Sequence, residues 1–330
     1  MSKQKLITTI LGLGIFIYIF KAIGWQATLD SIVSIGWKYP IILLPFSLVN
    51  YVDTWGWLYT FPKYNPTHTL SFSKIYWLRI CGEAFNNFTP SAHIGGDILR
   101  ILILKKLGLA TTESSVSVIL DKTTIIISEI VFIYTSLSIF IVLIPLNSWI
   151  KFGIIFSLIL AVLFVYLLIW LMHHGALTTL CRFLDQKLKT QWASQLYEKV
   201  LHIDQLLGDC ILQNKKKFWL SNLWHYIGWI LGALETWLML YLMNISISLL
   251  QAIMIEGLLC LAKGLGFFII GSLGVMEGSM ISLFQILNLG QGPGLAFTLL
   301  KRSRELIYGI LGWSLYLYYF NRNKNQSYSS

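Results

Sequence analysis

Residues 79–106 read RICGEAFNNFTPSAHIGGDILRILILKK, and the reading of this stretch governs the rest of the chain. Arg79, Glu83, Asp97 and Arg100 stand in it among apolar residues, with Asn86, Asn87, Thr89 and His93 between the charges. On insertion scales a charge at the centre of a membrane costs roughly 2.5 to 3.5 kcal/mol, while a Leu, Ile, Phe or Val returns about 0.3 to 0.6. Four charges therefore outweigh the apolar residues around them. Thr89-Pro90 and Gly95-Gly96 also forbid one continuous helix, because Pro90 disfavours helical geometry at Thr89 and the glycines accept backbone shapes that other residues do not. The stretch predicts two half-helices, at about 75–87 and 97–106, meeting at a break. Each is shorter than the roughly twenty residues needed to cross the hydrocarbon, so a re-entrant hairpin is expected. Broken backbone at membrane depth is tolerated where protein or a watery cavity covers it, so the hairpin should line an internal site.

The composition around this stretch belongs to a membrane. Hydrophobic residues make up 56% of the 330 and charged residues 12%, with a mean hydropathy of +0.67; a soluble domain carries about twice that charged fraction. The net charge of +10 sits in short connections between apolar segments, as membrane topology requires, and gives no reason to expect nucleic acid as a partner. Cys81, Cys181, Cys210 and Cys260 show no CxxC spacing, so neither a metal nor a disulfide framework is expected. Lys3 and Lys5 precede an apolar run without a convincing cleavage site, which reads as an uncleaved first helix.

In chain order the spans are expected at 6–20, 39–61, 123–144, 152–172, 218–243 and 295–320. The aromatic cluster Trp55, Trp57 and Tyr59 suits a membrane interface. Residues 173–217 are the long polar segment, with Leu180, Leu184, Leu188, Trp192, Leu196 and Val200 at helical spacing, and read as an amphipathic connection. From Arg182 to Lys217 it holds seven Lys or Arg against four acids, which puts it in the cytoplasm, with both termini on that side. Lys21 and Lys38 on the far side argue mildly against that orientation.

A second broken element runs from Leu249 to Leu289, with Glu256 and Lys263 in its first arm, a break at Gly271-Ser-Leu-Gly274, and Glu277 opening its second arm. The two broken elements share an order. Asp97, Leu107-Gly108 and Asp121-Lys122 have counterparts in Glu277, Leu289-Gly290 and Lys301-Arg302. Three spans separate the hairpins, so the repeats, about 75–145 and 249–320, should be inverted, as in many secondary transporters. The fold class expected is all-α, a single integral membrane domain over 1–330 with about six spans and two re-entrant hairpins.

Arg79 and Glu83 are four residues apart and Asp97 and Arg100 three, so each pair shares a helix face. Half-helix starts near Asp97 and Val275 add backbone N–H groups suited to anionic oxygens. Arg79, Arg100, Lys122, Lys263 and Arg302 together are able to receive a phosphate, with Glu83, Asn87, Asp97 and Glu277 around them. Pro90, Gly95, Gly96, Gly271 and Gly274 are read as hinge or close-approach positions. The plainer reading of each charge is a structural ion pair. His93 reads as a polar loop residue, and His225 as packed or hydrogen-bonded. Neither GxSxG, HExxH, a P-loop nor DxD is evident, and no catalytic residue, cofactor or metal ligand is assigned.

The run FNNFTPSAHIGGDILRILILKKLGL, residues 85–109, resembles the lysylphosphatidylglycerol synthase transmembrane-region family, also called flippase-like or uncharacterised membrane protein family 0104. Asn87, Pro90, Gly95, Gly96, Asp97 and Arg100 match its signature. Asp121-Lys122 is similar to its Asp-Arg, with Lys in place of Arg. Residues 270–277 resemble its second signature through Gly274 and Glu277, while the expected proline is absent. The resemblance implies a membrane region that moves, or helps to move, lipid across the bilayer of a cell membrane. In the aminoacyl-lipid synthases a soluble aminoacyl-transferase domain follows; as the sequence stops at Ser330, synthase activity is not expected to carry over.

Three functions follow as expectations. The first is a lipid translocase that takes the anionic headgroup of a phospholipid or polyprenyl phosphate between the hairpins. The second is a membrane-embedded transferase acting on a lipid-linked substrate, for which Glu83, Asp97 and Glu277 are the only candidate acids. The third is a non-catalytic partner that docks a separate lipid-modifying enzyme through residues 173–217.

Overall fold

The computed structural model describes residues 35–62, 70–88, 94–145, 147–173, 191–266 and 272–326, with a few single positions besides. The expected first span, the break at Thr89–His93 with Pro90, Gly271 and most of residues 174–190 lie outside the described residues. Those described form ten α-helices and one 3-10 turn, with no strand among them. The chain is all-α.

The helices are α1 (Tyr39–Leu58), α2 (Phe72–Phe88), α3 (Gly95–Lys106), α4 (Thr111–Leu143), α5 (Ser148–His173), α6 (Gln191–Gln213), α7 (Lys215–Leu242), α8 (Leu249–Leu265), α9 (Val275–Ile286) and α10 (Gln291–Gln326). Three helical stretches are long and apolar enough to cross a membrane: Gly36–Leu58, Thr111–Leu143 and Lys151–Leu171. The other two described helices expected to span, α7 and α10, are 28 and 36 residues long. Their charges, Lys215 to Lys217 and Glu235 in one and Lys301 to Glu305 in the other, keep their composition from being that of a lipid-facing span. α5 has the opposite character, with nearly every described side chain turned outward.

Both broken elements are present as pairs of short helices. In the first, Asn86 lies by Gly96, and Arg79 by Arg100, so α2 and α3 run antiparallel. The ends of α3 are written in its sequence. Asp97 stands in the first turn and Lys105 and Lys106 in the last, complementing the helix dipole. Gly108 then adopts φ +96°, and Leu109 N–H reaches back to Leu104 O at 3.2 Å, the glycine-terminated closure of a helix. α9 ends alike: Leu289 N–H donates to Phe284 O at 2.8 Å, with Asn288 at φ +56°.

The two halves interlock. α2 packs along α10 and α8 along α4, through the stacked Phe85 and Trp313 rings at 4.1 Å and through Ser136 Oγ donating to Met254 O at 2.8 Å. Between helices in lipid, an interhelical hydrogen bond of this kind contributes about 0.6 kcal/mol on average. Shape complementarity supplies most of the rest. One apolar cluster gathers Ile42, Met239, Met254, Phe284 and Phe297; another gathers Trp57, Phe61, Ile75, Leu104 and Val118. Along α1 the order is Ile42, then Phe46, Val49 and Asp53, then Trp57, so a polar layer separates the two clusters. Along α4 the same layers follow in reverse, Val118, then Lys122 and Glu129, then Ile139. The polar layer therefore lies near the middle of the longest apolar helix. α6, amphipathic as expected, packs on α4 and α5 and buries Leu207 and Ile211.

Candidate functional site

The charges of residues 79–106 find their partners across helices. Arg79 Nη2 donates to Asp53 Oδ2 of α1 at 2.7 Å, and its Nη1 lies 3.6 Å from Asp121 of α4. Arg100 Nη1 donates to Asp121 Oδ2 at 3.2 Å; its pairing with Asp97 on its own helix is looser, at 3.8 Å. Arg100 also sits over the Trp57 ring, 5.0 Å from its centroid. Glu83 forms no ion pair with Arg79. His225 of α7 closes the group: Nδ1 lies 2.7 Å from Asp53 and Nε2 3.2 Å from Asp121. One imidazole thus bridges the carboxylates of α1 and α4.

A second group is built in the same way, with a cation between two carboxylates. Lys301 of α10 is 1% exposed and lies 2.9 Å from Glu235 of α7 and 2.9 Å from Glu256 of α8. Arg304 donates to Glu235, Thr236 donates to Glu256, and Lys263 pairs with Glu305 at 2.7 Å. Arg304 also covers the Phe46 ring at 3.9 Å. Burying so many charges is tolerable because they are paired.

Between the two groups lies a cavity of about 290 Å³. It is walled by side chains from α1, α2, α3, α4, α7, α8 and α10, including Arg79, Glu83, Asp97, Arg100, Lys122 and Lys263. Six of the sequence-predicted residues therefore meet there. Glu277 and Arg302 do not contribute to the described lining. They pair with each other at 2.5 Å, and Glu277 also accepts from Gly274 N at 2.7 Å. Gly274, at φ +81°, takes a conformation that a side chain would strain, and it sets the start of α9. Asn87 lies in α2, with its side chain outside the described residues; Asn86 of the same helix lines the cavity.

Asn86 Oδ1 accepts from Gly96 N at 2.8 Å. The backbone N–H groups of Gly96 and Gly274 are thus taken by the protein's own oxygens. Gly96 has a packing role as well: a Cβ there would stand 1.8 Å from Gly82 O, so α2 and α3 approach through their backbones. Among the described residues no group of three or more His, Cys, Asp or Glu is arranged to hold a metal ion.

Sequence reasoning missed Asp53, Glu129, His225, Glu235, Arg304 and Glu305 as lining residues. A signal was available. Asp53, Glu129 and Glu235 are each a lone carboxylate in a long, otherwise apolar run, and the cost that singles out Arg79 and Asp97 applies equally to them.

No curated protein and no solved structure matches the chain. Among protein families, the lysylphosphatidylglycerol synthase TM region matches residues 5–312.

Proposed function

The chain belongs to the lysylphosphatidylglycerol synthase TM region family, a membrane domain related to lipid handling, and from that membership we propose that it is a lipid translocase. The anionic headgroup of a phospholipid or a polyprenyl phosphate enters the cavity while its chains stay in lipid. One observation carries this reading: charges from seven helices converge on a single cavity whose lining includes Lys122, Ile125 and Glu129, near the middle of the apolar helix α4. Intramembrane charges are costly and mark substrate or ion pathways.

The cations there are paired, so a headgroup binds by exchanging partners. The pairs that can be exchanged are the long ones. Lys122–Asp97 at 3.6 Å, Arg79–Asp121 at 3.6 Å, Arg100–Asp97 at 3.8 Å and Arg304–Glu305 at 3.7 Å all exceed hydrogen-bond length. A phosphate oxygen accepts the N–H groups these pairs leave underused. Lys122, with a side chain 39% exposed, is the most accessible of the four cations.

The inverted repeat belongs to this proposal. α3 and α9 are both 12 residues long, each is followed by a short turn, and Asp121-Lys122 and Lys301-Arg302 occupy the same positions in α4 and α10. Lys122 pairs with Asp97 as Arg302 pairs with Glu277. Two such units facing each other in a cell membrane, with both termini cytoplasmic, allow alternating access about the cavity.

Reconstitution tests the function. Wild-type protein in liposomes is expected to transfer labelled phosphatidylglycerol or polyprenyl phosphate between leaflets, with Lys122→Ala and Arg100→Ala slower. Equal transfer by wild type and both variants removes the proposal.

A further inference from the structure

Every cation on the described cavity wall has a partner, and two carboxylates do not. Arg79 pairs with Asp53, Arg100 with Asp121, Lys122 with Asp97, Lys263 with Glu305 and Arg304 with Glu235. Glu83 of α2 and Glu129 of α4 line the same cavity, yet among the described residues neither accepts a hydrogen bond nor forms an ion pair. The wall holds seven carboxylates against five guanidinium and ammonium groups. Adding the partners that stand behind the wall, Asp121 for Arg100 and Lys301 for Glu256, keeps the excess at two, and with the His225 imidazole left aside those two are Glu83 and Glu129. Single hydrogen-bonding positions on the paired groups of this wall are unfilled on both sides: Glu235 keeps Oε1 without a hydrogen-bond partner, and Arg79 Nε and Nη1, Arg100 Nε and Arg304 Nε donate to nothing, so the paired groups can each take one more partner.

We infer that Glu83 and Glu129 are proton-binding sites, and that an anionic headgroup enters the cavity together with protons carried on them. The anion itself is taken from the translocase reading above; the proton sites rest on the cavity wall. With both carboxylates ionised the lining is negative and repels a phosphate. With both protonated, the excess of negative charge is gone, and each carboxyl gains an O–H able to donate to a phosphate oxygen. The step is proton binding and release alone: each carboxylate oxygen takes one proton from water and returns it to water.

The surroundings of both groups fit this exchange. Glu129 shares the cavity wall with Lys122 on its own helix, Lys263, Cys260 and Glu256 of α8, His225 and Glu235 of α7, and Asp97 and Arg100 of α3; Lys122 and Lys263 are the cations acting on it. Glu83 feels Arg79 on its own helix, Arg100 of α3, Asp53 of α1 and Arg304 of α10, and Glu305 of α10 also lines the wall. The cavity is open to the outside of the bundle at Lys122 and Lys263, whose side chains are 39% and 38% exposed. A metal cation is the weaker occupant, because no cluster of three ligating side chains is present among the described residues. A proton needs only one carboxylate.

The test measures protons directly. Purified full-length protein in weakly buffered detergent is mixed with short-chain phosphatidylglycerol, and proton uptake and binding are followed together. Wild type is expected to take up protons as it binds, with less uptake in Glu83→Gln and in Glu129→Gln and none in the double variant. Its affinity should fall about tenfold per pH unit for each proton taken up, on the alkaline side, and lose that dependence in the double variant. Binding without proton uptake, or equal uptake by the double variant, overturns the inference. So does uptake that sodium ions replace. If the lipid does not bind, the translocase reading fails, and the infrared band of protonated carboxyl groups in the ligand-free protein decides the proton sites alone. Loss of that band in the double variant supports them, and an unchanged band overturns them.

Discussion

Lys301 Nζ lies 2.9 Å from Glu235 Oε2, and both side chains are 1% exposed. This pair joins α10 to α7 inside the bundle, and Glu256 of α8 shares the same ammonium at 2.9 Å. Removing one member of such a group strands the others in a medium that solvates charge poorly, which costs about 3 to 5 kcal/mol. Lys301→Met is therefore expected to lower the midpoint of unfolding in detergent severely. Lys301→Met with Glu256→Gln should recover part of that loss, a coupling of about 0.5 to 3 kcal/mol. Additive losses in a double-mutant cycle would show that the three do not act as a unit.

The pairs Asp97–Lys122 and Glu277–Arg302 occupy like positions but differ in tightness, at 3.6 and 2.5 Å, and in burial, with the Glu277 side chain 0% exposed and the Lys122 side chain 39% exposed. Arg302→Ala is expected to act on stability, by about 3 to 5 kcal/mol, since it leaves a buried carboxylate with only the Gly274 N–H. Lys122→Ala should leave the unfolding midpoint nearly unchanged and reduce lipid transfer. The reverse pattern would mean that the tight pair, and not the loose one, meets the headgroup.

At Gly96 the backbones of α2 and α3 come so close that a methyl group has no room beside Gly82 O. Gly96→Ala must spread the hairpin, with an overpacking cost of about 1 to 3 kcal/mol. It also shifts Arg100 and Asn86, which reach the cavity from either side of the contact. Lowered stability together with slowed lipid transfer is expected; normal transfer by a stable Gly96→Ala protein would contradict the packing argument.

The inverted arrangement predicts opposite labelling of matching positions. Lys105 near the end of α3 and Gln285 near the end of α9 are both exposed. In a background without other cysteines, Lys105→Cys and Gln285→Cys should react with a membrane-impermeant maleimide from opposite faces of intact vesicles. Reaction from the same face ends the inverted repeat.

Much of the architecture was legible in residues 79–106 and 249–289. The conflict between apolar surroundings and charge, together with Pro90, the glycine pair and Gly274, implied broken helices, and the described parts of the hairpins have the expected arms. α3 begins at Gly95, two residues before the expected arm, and α9 ends at Ile286, three residues before it. The larger difference lies at Thr111, where α4 runs unbroken through Asp121-Lys122. The charged pair just before the span expected at 123–144 is accommodated within the helix, because Arg79, Arg100 and His225 meet Asp121 from other helices and Asp97 meets Lys122.

The sequence by itself determined that this is an all-helical membrane protein, where its chain breaks, and which side chains are too costly to be left in lipid. Those are local properties, set by composition, periodicity and backbone freedom over a few turns. Only the tertiary structure decided which charge meets which. Asp53 and His225 are far apart in the chain, as are Lys301 and Glu235, and their contact depends on how α1, α7 and α10 cross. The same crossing leaves Glu83 and Glu129 facing open space while every cation beside them is already paired. Ion pairing is a short-range interaction between surfaces that only folding brings together, so no reading of spacing along one helix distinguishes the paired charges from the free ones.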